Sequence, residues 1–184
     1  DEHLPNMDDT LALQVMSRDY RFLLEERGYL LLERAPRPVD PRPAREVQID
    51  AQVPFEEWVE IGAAAGRAHL LQLEFERTAW GAVQNVLLRP PALFMAVEDS
   101  LGRGERYRVV PAMMEAGVFV QPFAVGLDEW REWFTGGSAA RAMRVRFSAD
   151  PGLFGQAGYA SAVRLRLIRA DDLVPGPAAD AEDV

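Results

Sequence analysis

Apolar and polar residues alternate with period two along much of the stretch Ala68–Phe147, and this restricts the fold more than any other feature of the chain. The stretch contains His69-Leu-Leu-Gln-Leu-Glu-Phe-Glu76, Leu93-Phe-Met-Ala-Val97, Arg106-Tyr-Arg-Val-Val110, Val118-Phe-Val120 and Met143-Arg-Val-Arg-Phe147. Successive side chains of a strand point to opposite faces, so this is the pattern of half-buried strands in an antiparallel sheet. Leu71, Leu73 and Phe75 share one face, and Gln72, Glu74 and Glu76 take the other. Ser100-Leu-Gly-Arg-Gly104 reads as the loop of a hairpin. Val163–Ile168 is a further clean strand, and Glu46–Ala51 and Trp58–Ile61 are shorter ones. Roughly eight short strands with turn signals and few helices predict a mainly β fold. The expected architecture is an antiparallel β-sandwich, jelly-roll-like and similar to a carbohydrate-binding module.

Two helical segments are expected beside these strands. Leu13, Met16, Tyr20, Leu23 and Leu24 fall at helical spacing and predict a helix over Thr10–Arg27. Asp8, Asp9 and Thr10 are its cap candidates, and Gly28 suits the position after its C-terminus. Tyr29–Arg34 then reads as a buried strand. Leu127–Phe134 carries Trp130, Trp133 and Phe134 at i, i+3 and i+4, a short amphipathic helix ended by Gly136-Gly137. Trp80–Leu88 is expected as one helical turn or an irregular crossing. Ala35–Arg45 holds Pro36, Pro38, Pro41 and Pro43, which suit neither a helix nor a sheet interior. It is the expected linker. The domains are therefore read as 1–45 (helix, strand and linker), 46–174 (the sandwich) and 175–184 (an acidic, disordered tail).

The hydrophobic fraction of 48% over 184 residues is enough for one core and argues against global disorder. No apolar run approaches the roughly 20 residues that span a bilayer, so the chain as given is expected to be soluble. The start at Asp1, without methionine or signal peptide, suggests a piece excised from a longer chain. A formal charge of −9 argues against non-specific nucleic-acid binding. All 20 basic residues are arginine, which reads mainly as the mark of a high-GC genome. Cysteine is absent, which excludes disulfides, thiolate metal sites and cysteine nucleophiles.

An ordered series of segments resembles a known kind of protein: Asn85-Val-Leu-Leu-Arg-Pro-Pro91, Leu93–Val97, Arg106-Tyr-Arg-Val-Val-Pro111, Glu115-Ala-Gly-Val-Phe119, Pro122 and Arg144-Val-Arg-Phe147. Leu4-Pro-Asn-Met-Asp-Asp9, Tyr20-Arg-Phe-Leu-Leu24 and Gly28-Tyr-Leu-Leu-Leu-Glu-Arg34 extend it towards the N-terminus. Together they resemble the extracytoplasmic C-terminal domain of bacterial polytopic membrane proteins similar to GT-C-type glycosyltransferases. The resemblance implies a domain on the periplasmic side of the inner membrane, with the membrane part of its parent protein as a partner. It implies no catalytic residue here, because the active acids of such enzymes lie in loops between membrane helices.

Each candidate site has a structural and a functional reading. His69 opens a strand with no second His or Cys nearby in sequence, so a zinc site is disfavoured, and no nucleophile elbow supports a serine triad. The adjacent acids Asp8/Asp9, Glu56/Glu57, Glu98/Asp99 and Asp171/Asp172 read as solvated surface. No cofactor is expected. A structural calcium at Asp150 or Asp171/Asp172 is the one metal to consider, without EF-hand spacing to call for it. Trp130 and Trp133 read as core anchors, while Trp80 beside Gly81 is open to stacking on a sugar. The arginine pairs are the most informative feature. Arg106/Arg108, Arg144/Arg146 and Arg164/Arg166 each lie opposite their apolar partners. If their strands share a sheet, six guanidiniums share a face. They then either pair with Glu74, Glu76 or Glu105 across strands, or bind an anionic partner such as a lipid headgroup or sugar phosphate. The leading expectation is a non-catalytic periplasmic accessory domain binding a glycan or an anionic headgroup. The alternative is a protein-interaction scaffold without a small ligand, and a sugar hydrolase is the weakest reading.

Overall fold

The computed structural model describes residues 9–34, 45–62, 66–87, 91–124, 126–137, 139–150 and 155–174. The proline-rich linker at 35–44 and the acidic tail at 175–184 lie outside them. In chain order the elements are α1 (Thr10–Asp19), β1 (Tyr20–Glu26), β2 (Tyr29–Arg34), β3 (Arg45–Pro54), β4 (Trp58–Glu60), β5 (His69–Glu74), α2 (Ala79–Leu87), β6 (Leu93–Asp99), β7 (Gly104–Val109), α3 (Pro111–Met114), β8 (Val118–Gln121), α4 (Leu127–Phe134), β9 (Ala142–Ala149) and β10 (Ala162–Ala170). The fold is mainly β, an antiparallel sandwich of two four-stranded sheets with a separate two-stranded hairpin.

One sheet has the order β3-β10-β5-β8 and the other β4-β9-β6-β7. The pairings are nested: β6 with β7, β5 with β8, β4 with β9 and β3 with β10. A single long hairpin with its tip at the β6–β7 turn, rolled into two layers, produces this order. Asp99 builds the tip, its Oδ1 accepting from the Leu101 and Arg103 amides at 2.9 Å each. Arg103 Nε closes on Oδ2 at 2.6 Å.

The apolar phase of the alternation fills the space between the sheets. Leu71 and Leu73 (β5), Met95 and Val97 (β6), Val145 and Phe147 (β9), and Val163, Leu165 and Leu167 (β10) are buried there. Each fully buried side chain of this size contributes roughly 1.5–3 kcal/mol. A second core lies on the outer side of the β3-β10-β5-β8 sheet. There Leu70, Phe119, Ile168 and Ala170 meet Trp133 and Phe134 of α4, with Leu13 and Met16 of α1 and Phe22, Leu30 and Leu32 of the hairpin packed on them. The N-terminal layer is thus docked on the sandwich, and Gln14 Nε2 donates to the Gly117 carbonyl at 3.3 Å.

Two expectations near the N-terminus are corrected. The helix ends at Asp19, and Tyr20–Glu26 is a strand. Arg27 and Gly28 both have positive φ (52° and 79°), the turn that joins two twisted strands tightly, so Gly28 turns a hairpin rather than capping a helix. A register shift between Phe22 and Leu24 makes Leu23 an extra residue, which is why the apolar spacing imitated a helix. Tyr29–Arg34 is also not buried: only Leu30 and Leu32 face the second core, and Tyr29 is 74% exposed. The helix at Leu127–Phe134 is as expected.

Helix α2 is fixed at its first turn. Thr78 Oγ1 accepts from the Gly81 amide at 3.0 Å and donates to the Ala157 carbonyl at 2.8 Å. Gly81 abuts the turn at Gly155–Gly158 so closely that a Cβ would lie 1.9 Å from the Gly158 carbonyl oxygen. Gly81→Ala must therefore displace backbone, and a loss of about 1–3 kcal/mol is expected in chemical denaturation. Thr78→Val, which loses both hydrogen bonds, should cost about 1 kcal/mol. Unchanged denaturation midpoints in both variants would contradict this account of how α2 is held.

Candidate functional site

The six arginines do not share a face. Arg106 and Arg108 (β7) and Arg144 and Arg146 (β9) belong to one sheet, and Arg164 and Arg166 (β10) to the other. The two sheets bury their inner faces against each other, so the polar phases point out on opposite sides of the molecule. The condition for a six-arginine surface is not met, because nested pairing places β10 in a different layer from β7 and β9.

On the β3-β10-β5-β8 sheet the arginines are held by acids. Arg164 forks onto Asp50, Nε to Oδ1 and Nη2 to Oδ2, both 2.9 Å, and its Nη1 lies 3.6 Å from Glu74. Arg166 lies 3.5 Å from Asp50 and 3.9 Å from Glu74. The four side chains form a charge-neutral network. The Arg164 guanidinium beside Asp50 holds that carboxyl below its usual range. The network borders an open groove of about 440 Å³. Gln52, Glu74, Phe75, Glu76, Glu115 and Arg164 line it, and a smaller recess adds Gln72 and Arg166. Phe75 is fixed edge-on to Phe147 and Tyr159, each 6.4 Å away. Trp80 does not line this groove among the described residues, although it is 46% exposed on α2.

On the opposite sheet, Arg144 Nε donates to Glu98 at 3.0 Å. The Arg144 and Arg146 guanidiniums lie 4.8 and 5.0 Å from the ring centre of Trp58. Arg106 lies 3.9 Å from the ring centre of Phe94. Tyr107 turns inward and is buried, donating to Glu105 at 2.6 Å, and burial pushes its hydroxyl well above the ordinary range. Trp133 is buried and Trp130 packs edge-on against Phe119 at 5.9 Å, so both tryptophans of α4 are core anchors.

Two of the acids considered for calcium, Asp171 and Asp172, are engaged with arginines. Asp171 pairs with Arg67 at 3.0 Å and Arg169 at 3.1 Å, and Asp172 with Arg45 at 3.5 Å. Asp150 follows β9 near the start of β10, whereas Asp171 and Asp172 follow its end, about 30 Å away along the strand. Among the described residues no group of three or more His, Asp or Glu is placed to hold a metal ion.

His69 is fully buried. Its Nδ1–H donates to the Arg67 carbonyl at 3.3 Å, and Nε2 has no partner. Burial, outweighing the hydrogen bond to Arg67, pushes the imidazole below its ordinary 6.5, with Arg169 and Arg67 lowering it further and Asp171 opposing them. This is a neutral core histidine whose one hydrogen-bond partner among the described residues is a backbone carbonyl, not a hydroxyl. The folded state binds its proton less readily than the unfolded state does. Its contribution to stability is therefore full above pH 6.5 and is lost as pH falls from there through the folded value. Thermal melts across this window should show stability declining towards acid, and His69→Gln should flatten the decline. An equal decline in the variant would remove His69 as its source.

No protein-family model matches the chain, and no curated protein or solved structure is significantly similar to it.

Proposed function

We propose that this chain is a non-catalytic, glycan-binding accessory domain of a bacterial membrane protein related to GT-C-type glycosyltransferases, on the extracytoplasmic side. The groove on the β3-β10-β5-β8 sheet carries the binding half of this reading. Arg164, Arg166, Asp50 and Glu74 cancel one another's charge and hold fixed planes of donors and acceptors. Gln52 and Gln72 add two amides, and Phe75 gives one apolar wall. Glu76 and Glu115 also line the groove and make it acidic, which disfavours an anionic ligand, while the convergent donors and acceptors suit the hydroxyls of a neutral sugar, each of which both donates and accepts. The nested strand pairing supports a jelly-roll-like sandwich of the carbohydrate-binding kind. The placement beside a membrane protein rests on the resemblance of the segments between Leu4 and Phe147 described above.

Glu74 and Glu115 share the groove, as the two carboxylates of a glycosidase would. Both are exposed, and Glu74 is committed to the two arginines. A glycosidic general acid needs a carboxyl kept protonated by burial or a like charge, and neither residue has that burial. Recognition fits the groove better than hydrolysis.

A second reading, a protein-interaction scaffold, is favoured by the outer side of the β1–β2 hairpin, where Leu24, Tyr29 and Leu31 are exposed together. A glycan array followed by titration calorimetry separates the two. The expected result is binding of neutral oligosaccharides, weakened about tenfold by Arg164→Gln or Gln72→Ala through loss of hydrogen bonds. An array without hits, or hits indifferent to both substitutions, would sink the glycan reading in favour of the scaffold.

A further inference from the structure

On the outer face of the β4-β9-β6-β7 sheet one arginine, Arg144, is taken by an acid, Glu98, while its neighbours are not. Many arginines elsewhere meet acids: Arg21 with Glu33, Arg103 with Asp99 and Glu129, Arg131 with Glu25 and Asp128, Arg169 with Glu46 and Asp171. Among the described residues Arg106, Arg108 and Arg146 have no carboxylate within salt-bridge distance. They nevertheless stand close together. Ala96 is directly opposite Arg106 on one side and Arg146 on the other. Phe94, one step along, is opposite Arg108 and Ser148. The Cα atoms of Arg106 and Arg146 are thus two strand spacings, roughly 10 Å, apart across the smallest side chain of the row.

Three like charges in adjacent positions repel one another, and Glu98 on the same face is already taken by Arg144. Aromatic rings lie beneath instead. Phe94 supports Arg106, which also reaches Ser148 Oγ at 3.5 Å, and Trp58 supports Arg146. Stacking fixes a guanidinium plane and leaves its N–H edges free to donate. We propose that this face is an oxyanion site, in which a phosphate or diphosphate group sits over Ala96 between Arg106 and Arg146, with Arg108 at its flank. A compact anion fits better than an extended one, which would run onto the acidic remainder of the surface. The group could be borne by a soluble molecule or by a lipid headgroup. The site lies on the opposite sheet from the glycan groove and does not rest on it.

The test is titration of the folded domain with inorganic pyrophosphate, read by amide chemical shifts. It runs beside co-sedimentation with phosphatidylglycerol vesicles and phosphatidylcholine controls. Shifts are expected on β6, β7 and β9. The Arg106→Gln/Arg146→Gln double variant should bind at least about tenfold more weakly, through loss of two charge-assisted contacts. Arg164→Gln should bind normally, which separates this site from the glycan groove. Sedimentation with phosphatidylglycerol, lost in the same double variant, would identify a lipid source, and pyrophosphate binding without it a soluble one. No shifts with pyrophosphate together with no sedimentation, or binding unchanged in a folded double variant, would overturn the proposal.

Discussion

Strand β10 is buried on both sides, and the rest of the structure depends on it. Val163, Leu165 and Leu167 point into the sandwich, while Ile168 and Ala170 point out beneath α4 and the N-terminal layer. Simple alternation serves both cores: odd positions up to Leu167 face the inner one, and Ile168 and Ala170 the outer one. The register shift between Leu167 and Ile168 is taken up by β3, where Gln48 is the extra residue. Because β10 pairs with β3 and β5, their outward residues divide in the same way. Asp50, Gln52, Gln72 and Glu74 face solvent where β10 carries Arg164 and Arg166, and Leu70 is covered where β10 carries Ile168. The groove is the part of this outer face that the second core leaves open.

Most of the sandwich was legible because period two is a local property. His69–Glu74, Leu93–Asp99 and Ala142–Ala149 alternate as half-buried strands must, and they form the strands the alternation predicts. The failures came where a local signal had two meanings. Tyr20, Leu23 and Leu24 satisfy a helical spacing, but a bulge lets a strand show the same spacing, and Arg27-Gly28 is a tight turn as readily as a helix end. The second core was illegible for another reason. Leu70 and Phe119 fall in the polar phase of their strands, and only the docking of α4 and the hairpin buries them.

The candidate sites divide along the same line. Sequence identified the arginine pairs but not which sheet each would join, since that depends on nesting between distant segments, such as the 114 residues that separate Asp50 from Arg164. Gln52, Gln72, Phe75 and Glu115 were not singled out as site residues, because nothing in their sequence neighbourhood marks them. They become a set only when β3, β5 and β10 lie side by side. Trp58 is marked in the sequence only as the start of a short strand, and its position directly across from Arg146 gives it a platform role.

In the nested pairing, Arg45, the first residue of β3, lies directly opposite Ala170, the last of β10. The backbone enters and leaves the sandwich at neighbouring points. Splicing such a unit into a loop of another protein costs little closure entropy, because its two ends already stand about one strand spacing apart. Both connections lie at the end covered by the N-terminal layer, and the β6–β7 turn is at the tip of the rolled hairpin. The sandwich is thus a closed unit between Arg45 and Ala170, tied to the rest of the chain at one place.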